Sequence, residues 1–423
     1  MKNNANEDRN LVTDEYLDCK GADQLSQFSN TCSILAAFKS SGKHIDSLVK
    51  DDNSLSDILK EVYKEYNQPA MAASLIYSEN VIAKAVVGNI QDGDNKAVNI
   101  NSLFHIGSIA KSMTSLLIAM LVNDGKLHYE MTLEQALPNI PMLDEYRKVT
   151  MHELLLNKAG IIAFQKHEYE EINVVKDLWK NIPTQYKDPK TQRIEVSKVV
   201  LNLKPVNTPG TKVLYSNVGW AIAALAAELA AGNSYEDLLK QNIFEKLGMK
   251  TTRTGGWPAS EKEPNQPRGH YFDKENNKLK PQTLDDEFVL PSWANPSGGV
   301  NCDITDLTTY IRENLLGLQG NGKLLSKEYY KNIHSIHTST KLNEMYMGID
   351  TEEIITLGYG WVVMKVENDL LSMFDGSGGT FFARAIIYPA LNLSFVGLTN
   401  TGKGNKALES TLKHILDLDI EAD

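Results

Sequence analysis

The sequence predicts an α+β fold in which one antiparallel sheet is built from both ends of the chain, with helices inserted between the two halves. Two observations carry this prediction: a helical pattern and a β-hairpin near the start, and three β-type runs followed by a helix near the end. A third observation is that the longest apolar segments lie between them. Strands from both ends that share one sheet require the intervening helices to flank it.

The first element is a helix that begins near Ser54, because apolar residues recur after it at helical spacing, namely Leu55, Ile58, Leu59 and Val62. Two β-type runs follow at 72–77 and 81–87, joined by a Ser-Glu-Asn turn that is typical of a hairpin. Residues 1–53 are mostly polar and broken by Gly and Ser. They are predicted to form a loosely ordered N-terminal extension to a domain that spans 54–423.

A buried central helix is predicted over residues 108–123, which are apolar nearly all round and end at Gly125. Residues 213–232 approach membrane-spanning length, but they contain Tyr215, Asn217 and Glu228, so a buried helix is predicted there as well.

Charged and polar residues dominate the segment 162–205, which predicts solvent-facing helices that wall a cleft. The last elements are strands at 357–366, 380–388 and 393–398, with a helix over 406–416.

Composition excludes several classes of function. The chain has 423 residues, 42% of them hydrophobic, which is ample for a large core. Its net charge of −11 repels phosphate backbones and anionic lipid, so neither nucleic acid nor a membrane is an expected partner. Three widely separated cysteines, Cys19, Cys32 and Cys302, are expected to be isolated and reduced.

The first thirty residues lack the apolar core of a secretory signal. An intracellular location is therefore expected unless a leader has been removed, in which case the periplasm or the cell exterior stays open. Oligomeric state is not predicted.

The candidate nucleophile is Ser108, in the tetrapeptide Ser-Ile-Ala-Lys. Three residues apart on a helix, Ser108 and Lys111 lie on one face within reach of each other. Apolar neighbours disfavour a charged lysine, and a neutral amine can accept the serine proton. The same spacing occurs at Ser40/Lys43, Ser47/Lys50 and Ser410/Lys413, so it carries little information alone. Only the Ser108 copy opens an apolar helix, and that context selects it.

A Tyr-x-Asn element has the same ambiguity. Tyr215 and Asn217 lead from a short β-type run into an apolar helix, whereas Tyr330 and Asn332 lie in a charged segment and are predicted to face solvent. Beside a lysine ammonium, Tyr215 would lose its proton more readily and could move it between Ser108 and a leaving group. Asn217 would then donate to the substrate amide or hold Lys111.

The order SIAK at 108–111, YSN at 215–217 and DGSGGT at 375–380 resembles the serine β-lactamase and penicillin-binding protein superfamily. Within it, the class C β-lactamase-like and family VIII esterase branch is the most similar. Further stretches resemble that branch and extend the similarity over about residues 55–417: FHIGSIAKSMT, TMHELLLNKAGI, PGTKVLYSNVGW, IFEKLGMKTT, NPSGGVNCDITDL, GYGW and NLSFVGLTN.

This resemblance implies a β-lactamase/transpeptidase-like fold, with an antiparallel sheet flanked by helices, a helical subdomain and the site between them. It implies no metal and no organic cofactor. Substrate would be bound by Asn217 and the glycine-rich strand Gly376, Ser377, Gly378 and Gly379, with the N–H groups of Ser108 and Gly379 holding the oxyanion. Glu153 matches a class A motif but precedes the Tyr-x-Asn element, so a structural role is predicted for it.

One departure concerns the third motif, in which the family carries Lys or His, then a small residue, then Gly. The corresponding triplet here is Gly376-Ser377-Gly378, and a two-residue shift gives Phe374, so neither register supplies a cation. Asp375 adds negative charge, and Arg384 on the next strand, or another residue, would have to compensate. Efficient β-lactamase or D-Ala-D-Ala carboxypeptidase activity is therefore not expected.

The leading prediction is a serine hydrolase of an ester or amide, peptides included, that acts through an acyl-enzyme on Ser108, with Lys111 and Tyr215 handling protons. Two alternatives stay open. One is a β-lactamase or penicillin-binding D-Ala-D-Ala peptidase, and the other is a binding or sensor protein that keeps the fold without turnover. The expected ligand is a small molecule or a peptide.

Overall fold

The computed structural model describes residues 27–45, 48–163, 177–273, 276, 278–284, 290–346 and 351–418. Its thirteen described strands are β1 Ala70–Tyr77, β2 Asn80–Gly88, β3 Phe104–His105, β4 Arg253–Thr254, β5 His270–Asp273, β6 Lys278–Pro281, β7 Val300–Cys302, β8 Thr338–Lys341, β9 Ile354–Gly358, β10 Trp361–Val366, β11 Asp369–Ser377, β12 Phe382–Tyr388 and β13 Leu393–Thr399.

The helices of the described ranges are α1 Gln27–Ser41, α2 Asp52–Glu65, α3 Ala110–Asn123, α4 Leu133–Ala136, α5 Asp144–Arg147, α6 Met151–Leu155, α7 Ile182–Gln185, α8 Pro189–Val200, α9 Asn217–Ala231, α10 Tyr235–Leu239, α11 Glu245–Leu247, α12 Asn295–Gly298, α13 Ile304–Gln319, α14 Lys327–Ile333, α15 Leu342–Met345 and α16 Asn405–Ile415. Short 3₁₀ turns lie at Gly107–Ile109, Ser292–Ala294 and Pro389–Leu391, and π turns at Asp177–Asn181 and Lys240–Phe244.

Eight strands form the main sheet in the order β2-β1-β13-β12-β11-β10-β9-β8, and every pairing in it is antiparallel. The first strand of the chain pairs with the last, Met71 opposite Thr399. Strands β12 and β13 are buried along their whole length, so both faces of the sheet are covered. This confirms the predicted α+β class with an antiparallel sheet flanked by helices.

The helical subdomain is built around two apolar helices. Helix α3 is buried from Ala110 to Leu121, and helix α9 packs against it and against α6, α8 and α12. Helix α9 begins at a Ser216 cap and ends at Gly232 in the left-handed conformation. Within the described ranges, no helix is long and apolar enough to cross a membrane.

Two elements differ from the sequence predictions. The run at 357–366 is two strands, β9 and β10, because the chain turns between them at Gly360, whose φ is +71°. Within the predicted N-terminal extension, helix α1 packs on α16 and β10 with Phe28, Leu35 and Phe38 buried, so this part is ordered. The boundary of the domain at residue 54 stays a prediction.

The expectation that all cysteines are reduced is wrong for Cys32, which takes part in a disulfide. Cys302 is free and buried. Of the predicted cleft-wall segment 162–205, residues 164–176 lie outside the described residues.

Candidate active site

Ser108 lies in the 3₁₀ turn that leads into α3, where it remains partly exposed. The turn depends on Gly107, whose φ is +50° and whose added Cβ would lie 2.5 Å from the backbone nitrogen of Ser377. Any other residue would be strained in that conformation and would push β11 away. The glycine that precedes the serine therefore brings Ser108 against the end of β11.

Ser108, Lys111 and Tyr215 meet as predicted. Lys111 Nζ is 3.1 Å from Ser108 Oγ, and Tyr215 Oη donates to the same oxygen at 2.6 Å. Lys111 Nζ also lies 4.5 Å from the centre of the Tyr215 ring. The hydroxyl of Ser108 therefore contacts a candidate base and a candidate acid at once.

Two fixed acceptors hold the amine of Lys111. It donates to Asn217 Oδ1 at 2.8 Å and to the backbone carbonyl of Ser297, on α12, at 2.6 Å. Lys111 is fully buried, and this burial lowers its pKa well below the ordinary value. A neutral amine has two hydrogens, which these acceptors use, so its lone pair is left for the Ser108 proton.

Tyr215 departs from the sequence expectation in its protonation. Burial raises the pKa of Tyr215, and the hydrogen bond to Ser108 offsets only part of that effect. The same burial disfavours an ammonium on Lys111 that would stabilise a phenolate. Tyr215 is therefore a neutral phenol at rest, which donates to Ser108 and does not deprotonate it.

The glycine-rich strand meets the serine in a different register from the expected one. An added Cβ on Gly376 would lie 1.9 Å from the Ile106 carbonyl oxygen and 2.9 Å from the Ser108 nitrogen. Gly376 is thus the glycine that this contact requires. The third motif therefore corresponds to Phe374-Asp375-Gly376 and not to Gly376-Ser377-Gly378.

Gly378 and Gly379 lie further from the serine. The Gly379 N–H donates to Ser377 Oγ at 3.0 Å, and an added Cβ on Gly379 would meet nothing within 4 Å. Gly378 packs against the rings of Trp257 and His105. Of the four predicted binding residues on this strand, the structure brings Gly376 and Ser377 to Ser108.

Arg384 does not supply the compensating cation at the third motif. Arg384 is fully buried and forms a bidentate pair with Asp375, Nε to Oδ1 at 2.8 Å and Nη2 to Oδ2 at 2.6 Å. Its Nη2 also donates to Asn405 on α16. The pair neutralises the charge of Asp375, and it also occupies Arg384, which is therefore not free to pair with a substrate anion.

Two further parts of the site could not be found by motif. The Ser297 carbonyl comes from the stretch NPSGG, which was noted for its resemblance but given no role. Tyr346, just after α15, packs on Tyr215 with ring centres 4.8 Å apart, and the preceding carbonyl of Met345 accepts from Tyr215 N at 3.1 Å. These contacts fix the orientation of the Tyr215 phenol.

Other candidates have structural roles. Glu153 caps α6 by accepting from Thr150 N at 2.8 Å, as predicted for a structural residue. The prediction that Tyr330 faces solvent is wrong, because it is fully buried and donates to Glu313 at 2.6 Å.

Lys413, from the alternative Ser-x-x-Lys pair, forms an ion pair with Glu409 at 3.2 Å. His105 is buried with its pKa lowered to about 4 by desolvation, so it is neutral and makes no hydrogen bond to Ser108.

Comparison with known proteins places the chain in a family. A family model described as Beta-lactamase matches residues 55–419, so the chain belongs to the Beta-lactamase family. Its relatives include penicillin-binding protein 4* of Bacillus subtilis (strain 168), which is 24% identical over 337 residues, 76% of this chain and 67% of that protein. The chain is accordingly a serine hydrolase.

Other similar proteins differ in what they are named for. The unguisins hydrolase ungD' of Aspergillus campestris (strain IBT 28561) is 19% identical over 382 residues, 88% of this chain and 66% of that protein. The fold matches that of an octameric penicillin-binding protein homologue from Pyrococcus abyssi, with a TM-score of 0.67, 22% identity, and coverage of 86% of this chain and 77% of that one. The structural likeness shows the fold, and the substrate is a separate question.

Proposed function

We propose that this hydrolase cleaves an ester or amide through an acyl-enzyme on Ser108 and does not require a carboxylate beside the reacting carbonyl. The observation that carries the proposal is the hydrogen-bonded cluster of Ser108, Lys111 and Tyr215, in which one hydroxyl contacts both a buried amine and a buried phenol. A nucleophile, a base and an acid are the groups that acyl transfer needs.

In the first half-reaction Lys111 accepts the Ser108 proton while Oγ attacks the carbonyl carbon. Tyr215 gives its proton to the leaving group, and the proton on Lys111 restores the phenol. The N–H groups of Ser108 and Ser377 hold the oxyanion, because the Ser377 nitrogen lies beside Gly107, whereas the Gly379 N–H is already bonded to Ser377 Oγ. In the second half-reaction water replaces the leaving group and the transfers run in reverse.

The absence of a cation at Phe374 is the argument against a substrate carboxylate at the third motif, since Arg384 is committed to Asp375. Penicillins and D-Ala-D-Ala peptides carry such a carboxylate. We therefore expect slow acylation by penicillin and faster turnover of neutral esters.

Replacement of Ser108 by alanine tests the proposal. We expect S108A to lose hydrolysis of p-nitrophenyl esters by at least about 10³-fold and to lose labelling by a fluorophosphonate probe, because the attacking oxygen is gone. S410A is the matched control, since Ser410 has the same spacing to Lys413 and should leave both signals unchanged. Labelling that persists in S108A and maps to another peptide would refute the assignment. Intact mass after penicillin treatment separates hydrolysis from stable binding.

Replacement of Tyr215 by phenylalanine tests the acid. We expect Y215F to slow alkyl ester or amide hydrolysis by about 10²-fold, and p-nitrophenyl ester hydrolysis much less, because p-nitrophenolate leaves without a proton. The measurement is kcat/KM of wild type and Y215F for two substrates that have the same acyl chain and differ in the leaving group. Y330F, from the second Tyr-x-Asn element, should preserve the ratio between the leaving groups. An equal loss for both leaving groups in Y215F would show that Tyr215 only supports the site.

A further inference from the structure

A pocket of about 600 Å³ lies next to the glycine-rich strand, where Trp257 lines it and packs against Gly378. It is lined by β4, β7 and the segments that flank β5 and β6. Trp257 connects the two places, because it lines the pocket and its ring lies 2.8 Å from where a Cβ on Gly378 would be. Gly378 is two residues beyond Gly376, which packs on the Ser108 nitrogen, so about 7 Å of extended chain separates them.

The charge of the pocket is opposite to that of the protein. The chain carries a net charge of −11, yet the lining contains three cations, Arg253, Lys262 and Arg268, and one carboxylate, Glu263. Arg253 is engaged, because it pairs with Glu263 and donates to the Pro258 carbonyl at 3.1 Å. A concave positive site on an acidic protein favours an anionic group.

Arg268 is the cation best suited to a ligand. Its backbone N–H is bonded to the Ile90 carbonyl at 2.8 Å, so the main chain at this position is fixed. Its side-chain Nε is buried and has no hydrogen-bond partner within the described ranges. A buried guanidinium N–H without a partner is costly unless a ligand or water satisfies it.

Two buried amides add an independent indication. Gln282 and Asn301 line the pocket with 4% and 1% of their surface exposed. Gln282 Oε1 and Asn301 Oδ1 are both without a hydrogen-bond partner in the part of the chain that the structure describes. Asn301 is held in this orientation because its Nδ2 donates to the Gly256 carbonyl at 2.7 Å. Polar atoms this deeply buried normally have partners, so these two acceptors favour a ligand that carries polar hydrogens.

We propose that this pocket binds the far end of the acyl group and that its preferred ligand is a carboxylate or similar anion held by Arg268, with Gln282 and Asn301 accepting from polar hydrogens of the same acyl group. The inference rests on the proposed function, since it extends the substrate from Ser108 along β11. It assigns the anion to the distal acyl end and not to the third motif, where the cation is missing.

Matched ester pairs test the assignment. The pairs are p-nitrophenyl hexanoate with p-nitrophenyl hydrogen adipate, and p-nitrophenyl octanoate with p-nitrophenyl hydrogen suberate, which differ only in a terminal methyl or carboxylate. For at least one pair we expect kcat/KM to favour the anionic ester about tenfold or more. R268Q should remove this preference by lowering kcat/KM for the anionic ester, R268K should restore part of it, and R147Q, at an exposed site elsewhere, should have no effect.

Binding of free adipate or suberate to S108A, measured by calorimetry, provides a readout that does not depend on turnover. We expect R268Q in that background to weaken it about tenfold or more. Ser108-dependent hydrolysis of neutral esters with no anionic preference in either pair would overturn the inference and leave the proposed function intact. Equal loss for both members of a pair in R268Q would also overturn it. If no ester were hydrolysed but diacid binding depended on Arg268, only the proposed function would fail.

Discussion

Replacement of Lys111 by methionine is expected to lower kcat/KM for neutral esters by roughly 10³-fold or more, because the variant keeps the length of the side chain but has no base. Methionine suits the buried position, so the fold should persist, although Asn217 Oδ1 and the Ser297 carbonyl lose their donor. K413M is the matched control, since Lys413 stands three residues after Ser410 as Lys111 does after Ser108. Activity above one tenth of wild type in a folded K111M would contradict the assignment.

The pH profile gives a second measurement of the same role. Burial lowers the pKa of Lys111, and the amine can accept a proton only when it is neutral. The neutral fraction rises as pH rises through the pKa of the folded protein, so kcat/KM should increase along a one-proton limb and then level off. Residual activity of K111M should lack this limb. A limb that persists unchanged in K111M would assign the titration to another group.

Replacement of Arg193 by methionine is expected to lower the free energy of unfolding by about 3–5 kcal/mol. Arg193 and Glu228 are both fully buried, with Nη2 to Oε1 at 2.6 Å, and Arg193 Nη2 also contacts Glu236 Oε2 at 2.8 Å. R193M would leave the Glu228 carboxylate buried without its cation, and that uncompensated charge causes the loss.

Chemical denaturation followed by circular dichroism measures the effect. The double variant R193M/E228Q should recover part of the stability, since it removes the unpaired charge. R147M breaks an exposed pair with Asp144 and should change stability by less than about 1 kcal/mol. A small effect of R193M, comparable with that of R147M, would show that the buried network is not the main support of helices α8, α9 and α10.

The sequence was sufficient where the determining contacts are local. Ser108 and Lys111 are one helical turn apart, so spacing and apolar context place them together. Tyr215 required more, because it joins Ser108 across 107 positions, and only the Tyr-x-Asn pattern with its resemblance to the family indicated it. The main sheet could be predicted from the order of strands near both ends, since such strands pair in an α+β fold.

Contacts without a side-chain signature could not be predicted. The Ser297 carbonyl reaches Lys111 through its backbone, and backbone atoms are the same in every residue. The register of β11 was ambiguous because four glycines and serines follow one another, and only the fit of Gly376 against Ile106 and Ser108 decides it. The exposure of Tyr330 was predicted wrongly because the neighbouring residues in the sequence are charged, whereas its ring points inward and its hydroxyl donates to Glu313.

The pairing of β1 with β13 has a consequence for how the protein is made. Met71 opposes Thr399, so β1 cannot complete this pairing until residue 399 has been synthesised. Until β13 and β12 emerge, the β1–β2 hairpin has an open edge and β11 has no partner on one side, which leaves the pocket for Ser108 unformed. Nascent chains should therefore lack hydrolase activity until β12 and β13 have left the ribosome.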